Sequence, residues 1–315
     1  MQLSEKFVAR MERELGESEA KALCAALGEE PSTAIRLNPR KMPAPRWDAK
    51  RVEWSAEGYL LEERPSFTLD SDFHAGAYYV QEASSQFAGY ILASVEGGVE
   101  ACRGLRVLDM CAAPGGKSTI YSTLVGRSGL VVANDISRSR ALALADNVQR
   151  WGIGNVVVTC NQPSHIGEFE HWFDVVAVDA PCSGEGMFRK DETARAEWTA
   201  QSVVMCAARQ MDILRQAWKS LKAGGVLIYS TCTFNTTEDE GVLEQMTAEW
   251  GEEIEPSAEI TVPEQWGVEC VKVGDFQGFR FFPHRTKSEG FFVAVARKRA
   301  DVGGRSVVPK PRKKI

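Results

Sequence analysis

Two short strings carry the most pointed chemistry in the chain: Asp179-Ala-Pro-Cys182-Ser-Gly-Glu-Gly-Met-Phe-Arg189 and Ser230-Thr231-Cys232-Thr-Phe-Asn235. Each follows an apolar run that reads as a strand, so each stands at a strand-end turn, the rim where open α/β sheets bind ligands. A lone cysteine is usually an inert buried residue, the reading given to Cys24, Cys102, Cys160, Cys206 and Cys270. Two cysteines among Pro, Ser, Thr and Gly at such turns point to a thiolate nucleophile, with chance packing or a redox disulfide as the alternatives. Beside a methyl donor a thiolate has a specific use. Carbon C5 of cytosine is a poor nucleophile, and thiolate addition at C6 pushes electron density onto C5, which then takes the methyl group. The C5 proton is lost and the thiolate leaves. Asp179, three residues before Cys182, is an acidic partner for N3 and the exocyclic amine of such a base.

A donor site is legible upstream. The string Asp109-Met-Cys-Ala-Ala-Pro-Gly-Gly-Lys117-Ser118 is a small-residue turn between a strand and a helix, where free backbone amides and missing side chains let a ligand approach closely. Gly116-Lys117-Ser118 fits the end of a phosphate-binding P-loop, but position 111, where the first glycine belongs, is Cys. The dinucleotide pattern G-x-G-x-x-G is also missing, since 111–116 reads C-A-A-P-G-G. A nucleoside-type ligand without a phosphate tail remains. Asp135, at the end of the next strand, is placed to accept hydrogen bonds from two ribose hydroxyls; capping the helix that begins near Ser137 is the alternative. With the loop, it points to S-adenosylmethionine.

The elements that must position these residues alternate along the chain. Strands are expected at 106–110, 129–135, 156–159, 174–179 and 225–231, with helices at 81–93, 116–124, 138–150 and about 203–221, the last showing Val203, Ala207, Met211, Leu214, Trp218 and Leu221 on one stripe. That alternation predicts an α/β fold with a parallel sheet. Thr237 and Glu240 read as a capping box opening a further helix, and the apolar runs 279–282 and 291–296 as final strands. Two short helices broken at Gly16 are expected over 4–27, then a strand at Ala34–Asn38. A Pro-punctuated stretch follows, and from Arg36 to Arg51 it carries Arg36, Arg40, Lys41, Arg46, Lys50 and Arg51. This is the best local basic patch, against a merely solvated loop.

Length and composition bound the rest. With 315 residues, about two domains are expected, and 44% hydrophobic with 25% charged residues is an ordinary globular balance. The net charge of −6 gives no global electrostatic case for nucleic acid, so any such surface is local. No stretch reaches the ~20 apolar residues of a membrane helix, the start is charged where a signal peptide is apolar, and no C-x-x-C pair occurs; a cytoplasmic chain with reduced thiols and no membrane partner is expected. His74, His165, His171 and His284 show no ligand spacing, so no metal is expected.

From Ile35-Arg-Leu-Asn38 through Gly76-Ala-Tyr-Tyr-Val-Gln-Glu-Ala-Ser-Ser85 to Gly290-Phe-Phe-Val293, the chain resembles the RNA (cytosine-C5) methyltransferases of the Sun/Fmu nucleolar-protein family, most of all bacterial 16S rRNA methyltransferases reading D-A-P-C-S-G-E-G. The resemblance implies a Rossmann-like class I S-adenosylmethionine methyltransferase domain at 76–300 and a small N-terminal RNA-binding domain at 1–75; the Gly-, Pro- and Lys/Arg-rich composition of 301–315 predicts a basic disordered tail. It implies Cys232 as the nucleophile attacking C6, Cys182 as the thiol assisting breakdown of the adduct, and Asp179 between cofactor and base. The cofactor would lie on Cys111, Ala112, Ala113, Pro114, Gly115, Gly116 and Lys117, with Asp135 on the ribose. Relatives usually place an Asp where Gln162 stands, and they often continue into a C-terminal RNA-binding domain. RNA contacts are expected at Arg36, Arg40, Lys41, Arg189 and Lys190. The substrate implied is 16S rRNA, with transfer RNA as the enzymatic alternative and a non-catalytic ribosome-assembly factor as the other.

Overall fold

Residues 3–256 and 259–310 are described by a computed structural model. Ser4 accepts a hydrogen bond from the Phe7 amide and opens α1 (Glu5–Leu15), and Gly16, at φ 83°, turns the chain into α2 (Glu17–Ala26). Phe7 and Met11, one turn apart, join Leu23 and Leu27 against Phe188, Trp198, Phe234 and Phe282, so the N-terminal helices sit on the loops that follow both cysteine turns. Next come β1 (Thr33–Leu37), β2 (Ala49–Arg51), β3 (Gly58–Leu61), α3 (Ser71–His74) and β4 (Tyr78–Val80), forming an antiparallel sheet of order β2-β3-β1-β4. β4 lies past residue 75 and completes this small sheet. All five residues of β1 are buried rather than alternating, because Ile35 and Leu37 face the small core while Arg36 faces the larger domain.

The expected helix at 81–93 begins later, as α4 (Phe87–Glu96) after a 3-10 turn at Ser84–Gln86. Upstream, the Glu82 carboxylate takes the Ser85 amide and Gln81 accepts from Arg36. The remaining elements are β5 (Arg106–Asp109), α5 (Gly116–Val125), β6 (Leu130–Asn134), α6 (Arg138–Trp151), β7 (Val156–Thr159), α7 (Pro163–Ile166), β8 (Phe173–Asp179), α8 (Glu192–Glu197), α9 (Ala200–Ser220), β9 (Leu221–Thr231), α10 (Glu240–Trp250), β10 (Ile254–Glu255), β11 (Glu269–Val273), β12 (Phe276–Phe281) and β13 (Phe291–Lys298). The large sheet runs β11-β12-β13-β9-β8-β5-β6-β7, parallel from β9 to β7, with β10 on β13. This is the expected parallel α/β sheet. Strand alternation splits its core: Val107, Val175, Ala177 and Ile228 pack under α4 and α5, and Leu108, Val176, Val178 and Tyr229 under α9 and α10.

The expected capping box at Thr237 and Glu240 does not form. Thr237 accepts from Arg10, Glu240 pairs with Arg280, and Asp239, at the helix start, turns its carboxylate back to the hydroxyls of Thr231 and Thr233. Residues 303–310 carry no helix or strand, and the Val307 amide donates to the Glu170 carbonyl; of the expected disordered tail, 311–315 lie outside the described residues.

Candidate active site

The carboxyl ends of β5 and β8, neighbours from which the chain leaves to opposite sides, make the crevice of the sheet. The loop after β5 enters α5 through Gly115 at φ 112°, where a Cβ would lie 2.9 Å from a Leu144 methyl carbon; only glycine fits comfortably. The Ala113–Pro114 peptide is cis. Asp109 is buried at the strand end. Its Oδ2 accepts from Ser118 Oγ at 2.6 Å, Oδ1 has no partner among the described residues, and burial pushes the carboxyl up to about 7.

Two cavities meet at this rim. The larger, about 810 Å³, is lined by Asn134, Asp135, Gln162, Cys182 and Arg209 among others; the smaller, about 410 Å³, by Ala112, Ala113, Pro114, Gly116, Lys117 and Lys190 among others. Cys111, Asp179, Ala180 and Cys232 line both. The outer wall of the smaller cavity is Tyr79 to Glu82, contributed by the small sheet and the turn after it. Asp135 Oδ1 accepts from the Ser137 amide, so the capping role is present, while Oδ2 stands 3.4 Å from Arg140 at the wall of the larger cavity. Gln162, exposed at that wall, has no side-chain partner among the described residues.

At the junction, Cys182 Sγ and Cys232 Sγ are 3.1 Å apart, and both are free thiols. The hydrogen bond to Cys232 and burial hold the Cys182 thiol well above the ordinary thiol range, so it keeps its proton at neutral pH. Asp179 accepts from Ser230 Oγ at 2.7 Å and pairs with Lys117 Nζ at 2.8 Å.

Two buried carboxylates absent from the sequence expectations fix the cysteine turns. Glu185 takes Trp198 Nε1 on one oxygen and the Phe234 and Asn235 amides on the other, at 3.0, 2.9 and 3.1 Å, tying the loop after Cys182 to the loop after Cys232. Glu238 closes the same span from the opposite side, accepting from the Ser183 amide, Gln210 and Asn235. A charge inside the small-residue string Cys182-Ser-Gly-Glu185-Gly was the available signal for Glu185. Glu238 stands between Thr237 and Glu240, which the sequence offers as a capping box, and offered no signal of its own.

Three of the five expected RNA contacts are committed elsewhere. Arg36 is 4% exposed and donates to Gln81 Oε1, the Gly116 carbonyl and Thr119 Oγ1, with its guanidinium 4.4 Å from the Trp151 ring centroid. It holds the small sheet to α5, since an arginine on a strand face covered by another domain must find acceptors there. Arg189 is buried against Glu289 at 2.7 Å and the Ser288 carbonyl. Lys41 bonds the carbonyls of Ala75 and Arg150. Arg40 is exposed without a side-chain partner among the described residues, and Lys190, 3.4 Å from Glu289, edges the smaller cavity.

A family model described as 16S rRNA methyltransferase RsmB/F matches residues 100–297, and one described as the N-terminal domain of 16S rRNA methyltransferase RsmF matches residues 3–83. The chain belongs to the RsmB/F family. Among curated relatives, ribosomal RNA small subunit methyltransferase F of Shewanella denitrificans is 32% identical, over 99% of this chain and 64% of the relative, and its namesake from Serratia proteamaculans is 35% identical, over 81% and 53%. The chain thus spans between about half and two thirds of those RsmB/F proteins. A solved methyltransferase homologue from Pyrococcus horikoshii superposes with a TM-score of 0.73 at 27% identity, covering 94% of this chain and 95% of its own. Among the described residues no helix is long and apolar enough to cross a membrane, and no group of three or more His, Cys, Asp or Glu is arranged to hold a metal.

Proposed function

We propose that the chain is a cytoplasmic RNA cytosine-C5 methyltransferase that uses S-adenosylmethionine and acts on 16S rRNA. The observation that carries this reading is the pair of thiols 3.1 Å apart where the two cavities meet, with Asp179 at the same junction. The residues present fit the cofactor: Asp135 and Gln162 offer acceptors for an adenosine in the larger cavity, and the unpartnered Asp109 Oδ1 beside the glycine loop suits an ammonium group. When bound, S-adenosylmethionine supplies an electrophilic methyl group.

The chain's own residues do the rest. Cys232, the cysteine of the Thr-Cys turn, takes the nucleophile role that the family resemblance implies, and Cys182, 3.1 Å away, is placed to hydrogen-bond its sulfur. The Cys232 thiol gives up its proton to solvent and its sulfur bonds to C6, so that the C5=C6 pair moves to C5, the carbon that would accept the methyl group. Asp179, held by Ser230 and Lys117, keeps lone pairs for the exocyclic amine of the base. Loss of the C5 proton to a base restores the double bond and breaks the C6–S bond. Cys182 then hydrogen-bonds the departing thiolate. Reaching C6 requires the cytidine to leave its stack, and the smaller cavity is the route to the junction.

The test is nucleoside mass spectrometry of unmodified small-subunit rRNA and of bulk transfer RNA after incubation with methyl-labelled S-adenosylmethionine. Labelled 5-methylcytidine in the rRNA, absent with Cys232→Ala, is expected. Label only in transfer RNA overturns the substrate, and label in neither overturns the activity of this chain.

A further inference from the structure

A third cavity, about 510 Å³, opens between the small sheet and α6, with Arg64, Phe73, Tyr79, Asn147, Arg150 and Trp151 in its wall. No carboxylate lines it, in a chain whose net charge is −6. The Arg150 guanidinium lies 4.7 Å from the Phe73 ring centroid, and Arg64, exposed at the mouth, has no acidic partner among the described residues. The cavity is built into the catalytic domain: Asn147 Nδ2 donates to the Tyr79 hydroxyl at 3.2 Å and to the Pro114 carbonyl of the β5–α5 loop at 2.7 Å. Tyr79 and Val80 line this cavity and also the smaller catalytic one, so a strand crossing that shared wall reaches both.

We propose that this cavity receives one unstacked nucleotide of single-stranded RNA next to the target cytidine, its base against Phe73 and Tyr79 and its phosphate at Arg64 and Arg150. Aromatic faces stack any base, and arginines without an acidic ion-pair partner neutralise phosphate while lying over rings. The inference rests on the RNA reading above. It adds the seam between β4 and α6 to the RNA footprint expected of the N-terminal region.

A short single-stranded oligoribonucleotide with one central cytidine, carrying 4-thiouridine on one side or the other, tests it with the intact chain. Irradiation followed by peptide mass spectrometry is expected to place cross-links on Phe73 or Tyr79 when the label adjoins the cytidine. Arg64→Glu is expected to weaken oligonucleotide binding by about tenfold and leave S-adenosylmethionine binding unchanged. Cross-links confined to other segments, undiminished affinity in Arg64→Glu, or no binding of the oligonucleotide would each overturn the proposal. Cross-links at Phe73 or Tyr79 without methylation of any RNA would support the site while removing the activity. Methylation with cross-links elsewhere would do the reverse.

Discussion

At the ends of β8 and β9 the polar groups singled out by type and spacing face open volume, whereas around β1 the cations of the basic stretch divide: Arg36 is buried in the strand, Lys41 and Arg46 are held by intramolecular acceptors at the surface, and Arg40 is exposed and unpartnered among the described residues. Cys182, Cys232 and Asp179 line cavities; Arg36 and Lys41 spend their donors on Gln81, Thr119 and backbone carbonyls, and Arg46 pairs with Asp70 and Asp72. The rim turns are built of small residues and end strands that are buried on both faces, so a reactive side chain there has one direction left to point. A long cation on a covered strand has acceptors within reach on several sides, and its sequence neighbourhood does not say which it takes.

The sharpest way to break this comparison is to remove one thiol at a time. Cys232→Ala is expected to lower methyl transfer by at least about a thousandfold and to form no covalent complex with RNA, since it deletes the bonding atom. Cys182→Ala leaves that atom and removes the proton donor beside it, so a protein–RNA adduct is expected to persist on a denaturing gel. An adduct with Cys232→Ala and none with Cys182→Ala would exchange the two roles.

At the other region, Arg36→Ala is expected to destabilise the chain by about 2–4 kcal/mol, because it strands buried acceptors and removes a guanidinium stacked on Trp151. Urea unfolding measures it. A loss of RNA affinity with no change in midpoint would return Arg36 to the RNA surface.

The difference between these regions also marks how far the sequence could be read. Continuous apolar runs alternating with helical segments located β5 to β9, and the spacing of Val203 to Trp218 located α9, because each pattern reports its own burial. What failed depended on partners distant in the chain. Arg36 meets Thr119 across 83 positions, and Thr237 lost its capping role to Arg10 across 227. Strands such as β2 and β10, of three and two residues, are too short for any period to show. Within the site the two strand-end cysteines and the small-residue loop could be singled out by type and position, and the carboxylates that clamp the cysteine turns could not, except for the hint at Glu185.

Glu185 offers a pH-dependent probe of the rim. Burial raises its carboxyl from 4.5 to about 7, so the folded state binds the proton more tightly than the unfolded chain. The associated stability is present below about pH 4.5 and is lost as pH rises to about 7. Asp109 titrates over a similar window, so the slope of the wild-type chain combines both. Glu185→Gln is expected to flatten the fall by about 1–3 kcal/mol, read from urea midpoints across that interval. Parallel curves for the two proteins would show that Glu185 does not titrate there.

The smallest effects separate two adjacent cations. Arg40 is exposed and unpartnered, so Arg40→Gln is expected to leave stability within about 0.5 kcal/mol. Lys41 bridges the Ala75 and Arg150 carbonyls between the small sheet and α6, so Lys41→Gln is expected to cost about 0.5–1.5 kcal/mol. On RNA the order reverses. If Arg40 meets a phosphate, its loss lowers the salt slope of binding by about 1, while Lys41→Gln leaves the slope unchanged because its charge is already held against carbonyls. Slopes unchanged from wild type in both variants would mean that neither cation touches RNA, and the contact surface would then shift wholly to the seam at Arg64 and Arg150.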